Sequence, residues 1–169
     1  WNSWYFLSLY ANAAGTTGST RTDSSNVLDR YVLSKLRTTV ETVTDCMEGY
    51  DLFGACASVR TFLDVLTNWY IRRSRDRFWA GEQDAIDTLH TVLDVLTKVA
   101  APLLPLVADE VHRGLNGEES DSVHLADWPD VTVLPQDDAL VSAMDLARDV
   151  CSSALSVRKA HSRRVRLPD

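Results

Sequence analysis

The sequence predicts an all-α fold, a bundle of about five or six helices forming a single domain over residues 1–169. Apolar residues recur at intervals of three and four along most of the chain, the spacing that gathers them on one side of an α-helix. With 169 residues, 45% hydrophobic and 24% charged, the chain is long enough to enclose one real core. Breaks at Gly49, Gly81, Pro102 and Pro105 divide the pattern into helix-length segments.

Trp1 to Asn12 carries Trp4, Leu7 and Tyr10 or Ala11 at helical spacing and predicts a first helix packed on others. Residues 14–25 are rich in Gly, Ser and Thr, which disfavours helix and strand alike and predicts a mobile loop. Its Gly15-Thr-Thr-Gly-Ser19 run lacks both the Gly-Lys-Ser/Thr ending and the preceding strand of a phosphate-binding loop. Ser25 or Asn26 caps a second helix, in which Leu28, Val32, Leu36, Val40, Val43 and Met47 form the inward stripe. Gly49 ends that helix, and the short Glu48-Gly-Tyr-Asp51 turn sends the next one, Leu52 to about Asp76, back antiparallel.

A further helix opens at Gly81-Glu-Gln-Asp84, with acids suited to a helix N-terminus and Ile86, Leu89, Leu93 and Leu96 inward. The prolines interrupt the chain before another amphipathic helix, Leu103 to Leu115, closed by Asn116-Gly117 and an acidic loop. Ser122 to Pro129 reads as an extended connector whose Trp128 packs on the bundle. Asp137 to about His161 forms the last helix, with Leu140, Ala143 or Met144, Ala147, Val150, Cys151 and Ala154 toward the core.

The most chemically loaded stretch is Asn68-Trp-Tyr-Ile-Arg-Arg-Ser-Arg-Asp-Arg-Phe-Trp79. Val59, Leu63, Leu66 and Tyr70 form the core stripe of the helix that runs into it. At roughly 100° per residue, Asn68, Arg72, Arg75 and Trp79 point the opposite way. Guanidinium forks, an indole and an amide on one face suit an unstacked nucleic-acid loop. The same residues also suit snorkelling over a neighbouring helix or interdomain ion pairs. Projection turns Arg73 and Arg77 back toward the core stripe, where carboxylates from other helices would hold them; they rank second as RNA contacts.

The net charge of −7 excludes a generic nucleic-acid binder, so RNA binding has to be local. The basic residues are indeed uneven, concentrated in Arg72–Arg77 and again in Arg158–Arg166. Lys159, Arg163 and Arg166 share a face if the last helix persists; contact with RNA and docking of a following domain both account for them. Three widely spaced cysteines, Cys46, Cys56 and Cys151, indicate neither a disulfide framework nor a zinc cluster and read as small core residues. Glu110 and His112 lack the HExxH spacing of a metal site, and the other histidines are scattered. No apolar run is long enough to span a bilayer, and Trp1–Tyr10 has no leader features, so a soluble, cytoplasmic protein is expected. The ends read as those of a piece excised from a longer protein.

The Asn68–Trp79 stretch resembles the corresponding helix of isoleucyl-tRNA synthetases, where Asn-Trp-Tyr is followed by an Arg-rich turn and Phe-Trp; Arg72, Arg73 and Arg75 favour that family over its valine, leucine and methionine counterparts. The Trp1-Asn-Ser-Trp-Tyr-Phe-Leu7 run resembles the helix that enters the anticodon-binding bundle of those enzymes. Ser122 to Pro129 resembles the segment after a later helix of it, and residues 156–169 resemble its basic junction to a C-terminal region.

The resemblance implies an antiparallel bundle of the class I synthetase anticodon-binding type. It also implies tRNA(Ile) as partner, bound at the anticodon arm, together with catalytic and C-terminal regions of the same polypeptide and no membrane. The implied tRNA-binding residues are Asn68, Arg72, Arg73, Arg75, Trp79, Lys159 and Arg163. ATP and magnesium would serve isoleucylation by the full-length enzyme, which also hydrolyses mischarged tRNA. This segment lacks the His-x-Gly-His and Lys-Met-Ser-Lys-Ser signatures, and is expected to hold no cofactor, no metal and no catalytic residue. A valine-type anticodon domain and a non-enzymatic helical interaction scaffold are the alternatives.

Overall fold

A computed structural model describes residues 1–117 and 120–162. The described residues form helices and turns, with no strand. The helices are α1 (Asn2–Ala14), α2 (Val27–Glu48), α3 (Leu52–Asp64), α4 (Arg75–Trp79), α5 (Gln83–Ala100), α6 (Pro105–Asn116) and α7 (Asp138–Ala160). A π-helical segment, Val65–Ile71, continues α3, and two short 3-10 turns, Val123–Leu125 and Val131–Val133, follow α6. The chain divides into two units, Trp1–Gln136 and a second beginning at Asp137.

In the first unit α2 packs against α3 and α5, and α5 carries α1 and α6 on its other sides. Asn26 caps α2 by accepting from the Leu28 N–H at 2.9 Å, and Asp51 caps α3 by accepting from the Gly54 N–H at 2.8 Å. The expected stripes are in place: Val32, Leu36, Val40, Val43, Leu66, Ile86 and Leu89 have no exposed surface. The turn between α2 and α3 departs from expectation in one detail. Gly49 has an ordinary backbone (φ −82), and Tyr50 takes the left-handed conformation (φ 59) with its side chain 91% exposed.

The Gly/Ser/Thr loop was expected to be mobile; it is strapped along α5. Gly15 closes α1 in the left-handed conformation. The Ser19 N–H then donates to Asp87 Oδ1 at 2.9 Å and the Arg21 N–H to Thr91 Oγ1 at 2.7 Å, while the Arg21 guanidinium pairs with Asp84 at 2.6 Å. Polar side chains on α5 therefore replace the ladder that the loop cannot form for itself. Gly18 lies so close to α5 that an added Cβ would stand 2.6 Å from His90 Cβ, so the strap needs a residue without a side chain there.

The connector after α6 is held in the same manner. Asp109 accepts from Ser122 Oγ at 2.6 Å and from the Val123 N–H at 2.9 Å, and these bonds hold its carboxyl below the usual range. Trp128 donates its indole N–H to Thr44 Oγ1 on α2 at 3.0 Å, which places it on the bundle as expected.

Two expectations are corrected, one of them in the second unit. Its helix α7 forms where the periodicity puts it, capped by Asp137, but none of its residues is buried, and Val150 and Cys151 from the anticipated inward stripe are exposed. A single helix has no second layer on which to bury a stripe of its own. All three cysteines are free thiols, but only Cys46, half-buried, packs against the core; Cys56 and Cys151 are exposed.

Candidate nucleic-acid interface

The loaded stretch begins inside the π-helical segment and ends on α4. Leu66, Tyr70, Ser74 and Phe78 are all buried, at a strict spacing of four. An α-helix of 3.6 residues per turn would have brought Leu66, Tyr70, Arg73 and Arg77 to the core. The i→i+5 closure of the π-turn adds one residue to the turn, and Ser74 (φ −90, ψ 4) breaks the helix before α4 starts. Together they delay the inward face by one residue, so Ser74 and Phe78 occupy the positions projected for Arg73 and Arg77.

Arg77 is nevertheless drawn inward by a carboxylate. Its guanidinium forks onto Asp29 of α2, NH1 to Oδ1 at 2.7 Å and NH2 to Oδ2 at 2.8 Å. Tyr70 Oη donates to the same Oδ1 at 2.8 Å and Ser24 Oγ to Oδ2 at 2.7 Å, so the fully buried Asp29 receives four hydrogen bonds. Glu82, at the start of α5, takes the remaining edge of Arg77 at 2.7 Å. Burial lowers the Arg77 pKa, but the hydrogen bonds to Asp29 and Glu82 outweigh it and raise the pKa above the ordinary guanidinium range. Burial, then the Asp29 charge and hydrogen bond, pushes the Tyr70 hydroxyl well above its usual value. This node ties the strap, α2, the π-turn, α4 and α5 together, and it fixes the backbone that displays the rest of the stretch.

Asn68, Arg72, Arg75 and Trp79 are exposed, as the projection requires, with Trp79 82% open to solvent. Asn68 donates to Asp64 Oδ1 at 2.6 Å. Arg73, projected toward the core, is instead exposed, with its guanidinium 4.2 Å from the centroid of the Trp69 ring. Neither Arg72 nor Arg75 is engaged by a carboxylate among the described residues. Of the four arginines in the stretch, one is therefore committed to the core, one lies against a neighbouring ring, and two are exposed without a carboxylate partner, as the Trp79 indole is exposed without a covering layer.

A model of the family described as the anticodon-binding domain of tRNA ligase matches residues 29–168, which include the whole loaded stretch. The chain belongs to that family. Among curated relatives, the isoleucine–tRNA ligase of Nocardia farcinica is 58% identical over 168 residues, 99% of this chain and 16% of that protein. The isoleucine–tRNA ligase of Mycobacterium tuberculosis is 56% identical over 168 residues with the same coverage, and that of Tropheryma whipplei 46% identical over 172 residues, again 99% and 16%. The chain thus spans 16% of the length of these relatives.

In this anticodon-binding domain the second basic group belongs to the second unit. Lys159 is exposed in the last turn of α7, where a cation complements the helix C-terminus. Arg163 and Arg166 lie outside the described residues. His112, weighed as a metal ligand, is buried with Nδ1 3.4 Å from Asp94 Oδ1 and beside Asn116, a locally bonded histidine. Among the described residues no three His, Cys, Asp or Glu side chains cluster as metal ligands.

The residue that sequence reasoning missed is Asp29. An acid in the first turn of a helix reads as a partner of the helix dipole, and its true partners stand 41 and 48 residues away. The available signal was its place between Leu28 and Val32, one residue off the apolar stripe.

Proposed function

We propose that this chain is the anticodon-binding part of an isoleucine–tRNA ligase, holding the anticodon arm of tRNA(Ile) for ATP-dependent isoleucylation by the longer polypeptide. The observation that carries the reading is the division of the arginines. The Asp29–Tyr70–Arg77 node fixes the backbone, while Arg72 and Arg75 have no carboxylate partner among the described residues and are exposed, as is the Trp79 ring. A protein with a net charge of −7 that leaves two guanidiniums unneutralised and a stacking surface open has a local site for phosphate and base.

On this reading Asn68, Arg72, Arg73, Arg75 and Trp79 contact the unstacked loop, and Lys159 and Arg163 are further tRNA contacts. Residues 1–169 work as one functional domain, a reading supported by the family match running from residue 29 to 168 across both units. ATP and magnesium, and the hydrolysis of mischarged tRNA, belong to other regions of the polypeptide, and no residue of this chain is assigned to them. The enzyme works in the cytoplasm; no described helix is long and apolar enough to cross a membrane. The isoleucine names of the matched relatives favour this specificity over a valine-type domain.

A filter-binding titration against the anticodon arms of isoleucine, valine and methionine tRNA tests the proposal. The isoleucine arm binds best. Arg75→Ala flattens the slope of log affinity against log salt by about 0.7, the contribution of one single-strand phosphate. Trp79→Ala loses about 1–3 kcal/mol with the slope unchanged. Equal affinity for all three arms, or unaltered affinity in both variants, overturns it.

A further inference from the structure

Beside Trp79 the junction of α1 and α4 holds a pocket of about 290 Å³, of whose lining only Trp79 is among the tRNA contacts assigned above. Tyr10, Ala13 and Ala14 line it from α1, and Phe78, Trp79 and Ala80 from the end of α4. Its geometry is fixed from behind. Phe78 is buried edge-on against Phe6, with ring centroids 5.0 Å apart, and lies 6.3 Å from the Tyr10 ring. Small side chains keep it open: Ala13, Ala14 and Ala80 contribute one methyl group each. Gly81 (φ 67) approaches so closely that an added Cβ would lie 3.2 Å from Ala14 Cβ.

The chemistry of the lining is unusual for a nucleic-acid surface, because no charged side chain contributes to it. A phosphate would find no cation there. The polar side-chain atoms are the Tyr10 hydroxyl and the Trp79 indole N–H; every other polar atom is main chain. Two helices end at this point, and the last carbonyls of a helix have no intrahelical donor. The carbonyl oxygens of Ala13, Ala14, Trp79 and Ala80 accept no hydrogen bond from the described residues. Four of the lining residues thus have carbonyls free to accept, which suits a neutral, flat ligand that presents hydrogen-bond donors. A volume near the lower end of small-molecule pockets admits one such ring.

We propose that this pocket is a base subsite that seats one nucleobase of the bound RNA through its exocyclic amino group, beside the Trp79 ring. The inference rests on the anticodon-arm reading above and deepens it: the arginines grip the backbone, and the pocket discriminates bases that carry an amino group from those that do not.

The test uses the full chain and a hairpin RNA with the sequence of the isoleucine anticodon arm. Each amino-bearing loop base is replaced singly by its analogue without the amino group. One replacement costs about tenfold in affinity, the scale of one well-made hydrogen bond. In Ala13→Leu, whose side chain fills the pocket, that same replacement costs nothing further, and the salt slope stays that of the parent. Ala80→Leu fills the pocket from the other wall and serves where Ala13→Leu melts early. The subsite is overturned if no single replacement stands out, or if both filled variants still sense it, while Trp79→Ala and Arg75→Ala weaken binding. If those two variants also bind as the parent does, the underlying anticodon-arm reading falls along with the subsite.

Discussion

Arg77→Ala is the perturbation that best separates structure from recognition within the loaded stretch. It removes two charge-assisted hydrogen bonds, at 2.7 and 2.8 Å, from a carboxylate with no exposed side-chain surface, and the arginine itself is only 14% exposed. Taking one partner from a buried ion pair costs about 3–5 kcal/mol, because the remaining charge is left uncompensated. Asp29 keeps its bonds from Tyr70 and Ser24, and water gains entry where the guanidinium stood. The expected loss is therefore near the lower end, about 3–4 kcal/mol. Urea unfolding followed by far-ultraviolet circular dichroism reads it as a fall in midpoint at unchanged m-value. Arg75→Ala, two residues away on the exposed face, stays within about 0.5 kcal/mol of the parent. Asp29→Asn combined with Arg77→Ala costs less than the sum of the single changes, since the second change no longer strands a charge. Additive losses, or an Arg77→Ala protein as stable as Arg75→Ala, would refute the account of the node.

Three further outcomes follow from the same geometry. Leu66→Ala, at a position with no exposure, lowers stability by about 2–5 kcal/mol in the same unfolding experiment; a loss under 1 kcal/mol would mean the bundle repacks without a cavity. The Tyr70 hydroxyl has a folded pKa raised above its unfolded value of about 10, so its contribution is complete below pH 10 and is lost as pH rises through the folded pKa. The stability of the parent therefore falls more steeply above pH 10 than that of Tyr70→Phe, and parallel curves would show that the raised pKa is absent. Tyr50→Gly relieves a left-handed backbone at an exposed turn and stabilises the hairpin by up to about 1 kcal/mol, read as a rise in melting temperature; destabilisation would mean the exposed ring has a contact that matters more than the strain.

Much of the bundle was legible because burial in α2, α3 and α5 follows simple periodicity: Val32, Leu36, Val40 and Val43, or Ile86, Leu89 and Leu93, are found where spacing puts them. The failures share a cause. The strap over α5 uses Asp87 and Thr91 as acceptors for loop N–H groups, and polar residues on a helix read as a solvated face until the loop that covers them is known. The stripe of α7 satisfies the same periodicity rule as α2, yet no residue of that helix is buried, because a stripe predicts a helix and does not specify what the helix packs against. The exposed face was legible through Arg72, Arg75 and Trp79. The partner of Arg77 was anticipated as a carboxylate from another helix, but its identity as Asp29 depends on a tertiary approach between residues 48 apart.

The phase of the central helix carries the deeper lesson. Leu66, Tyr70, Ser74 and Phe78 stand four apart in the sequence, and that interval was visible without coordinates. It was read at 3.6 residues per turn, which assigned the inward places after Tyr70 to Arg73 and Arg77. Burying both arginines would have demanded a carboxylate for each. The π-turn and the break at Ser74 resolve the conflict by rotating the chain rather than by supplying charges: a serine and a phenylalanine move inward, and one arginine is freed. Arg77 remains held, by the fully buried Asp29 and by Glu82. A wide turn lengthens the repeat only locally, so an interval of four sustained across basic residues that have no business in a core is the sequence trace of such a turn. Here the delay brings Phe78 in, while Arg72, Arg75 and Trp79 stay on the open side where the regular projection also puts them.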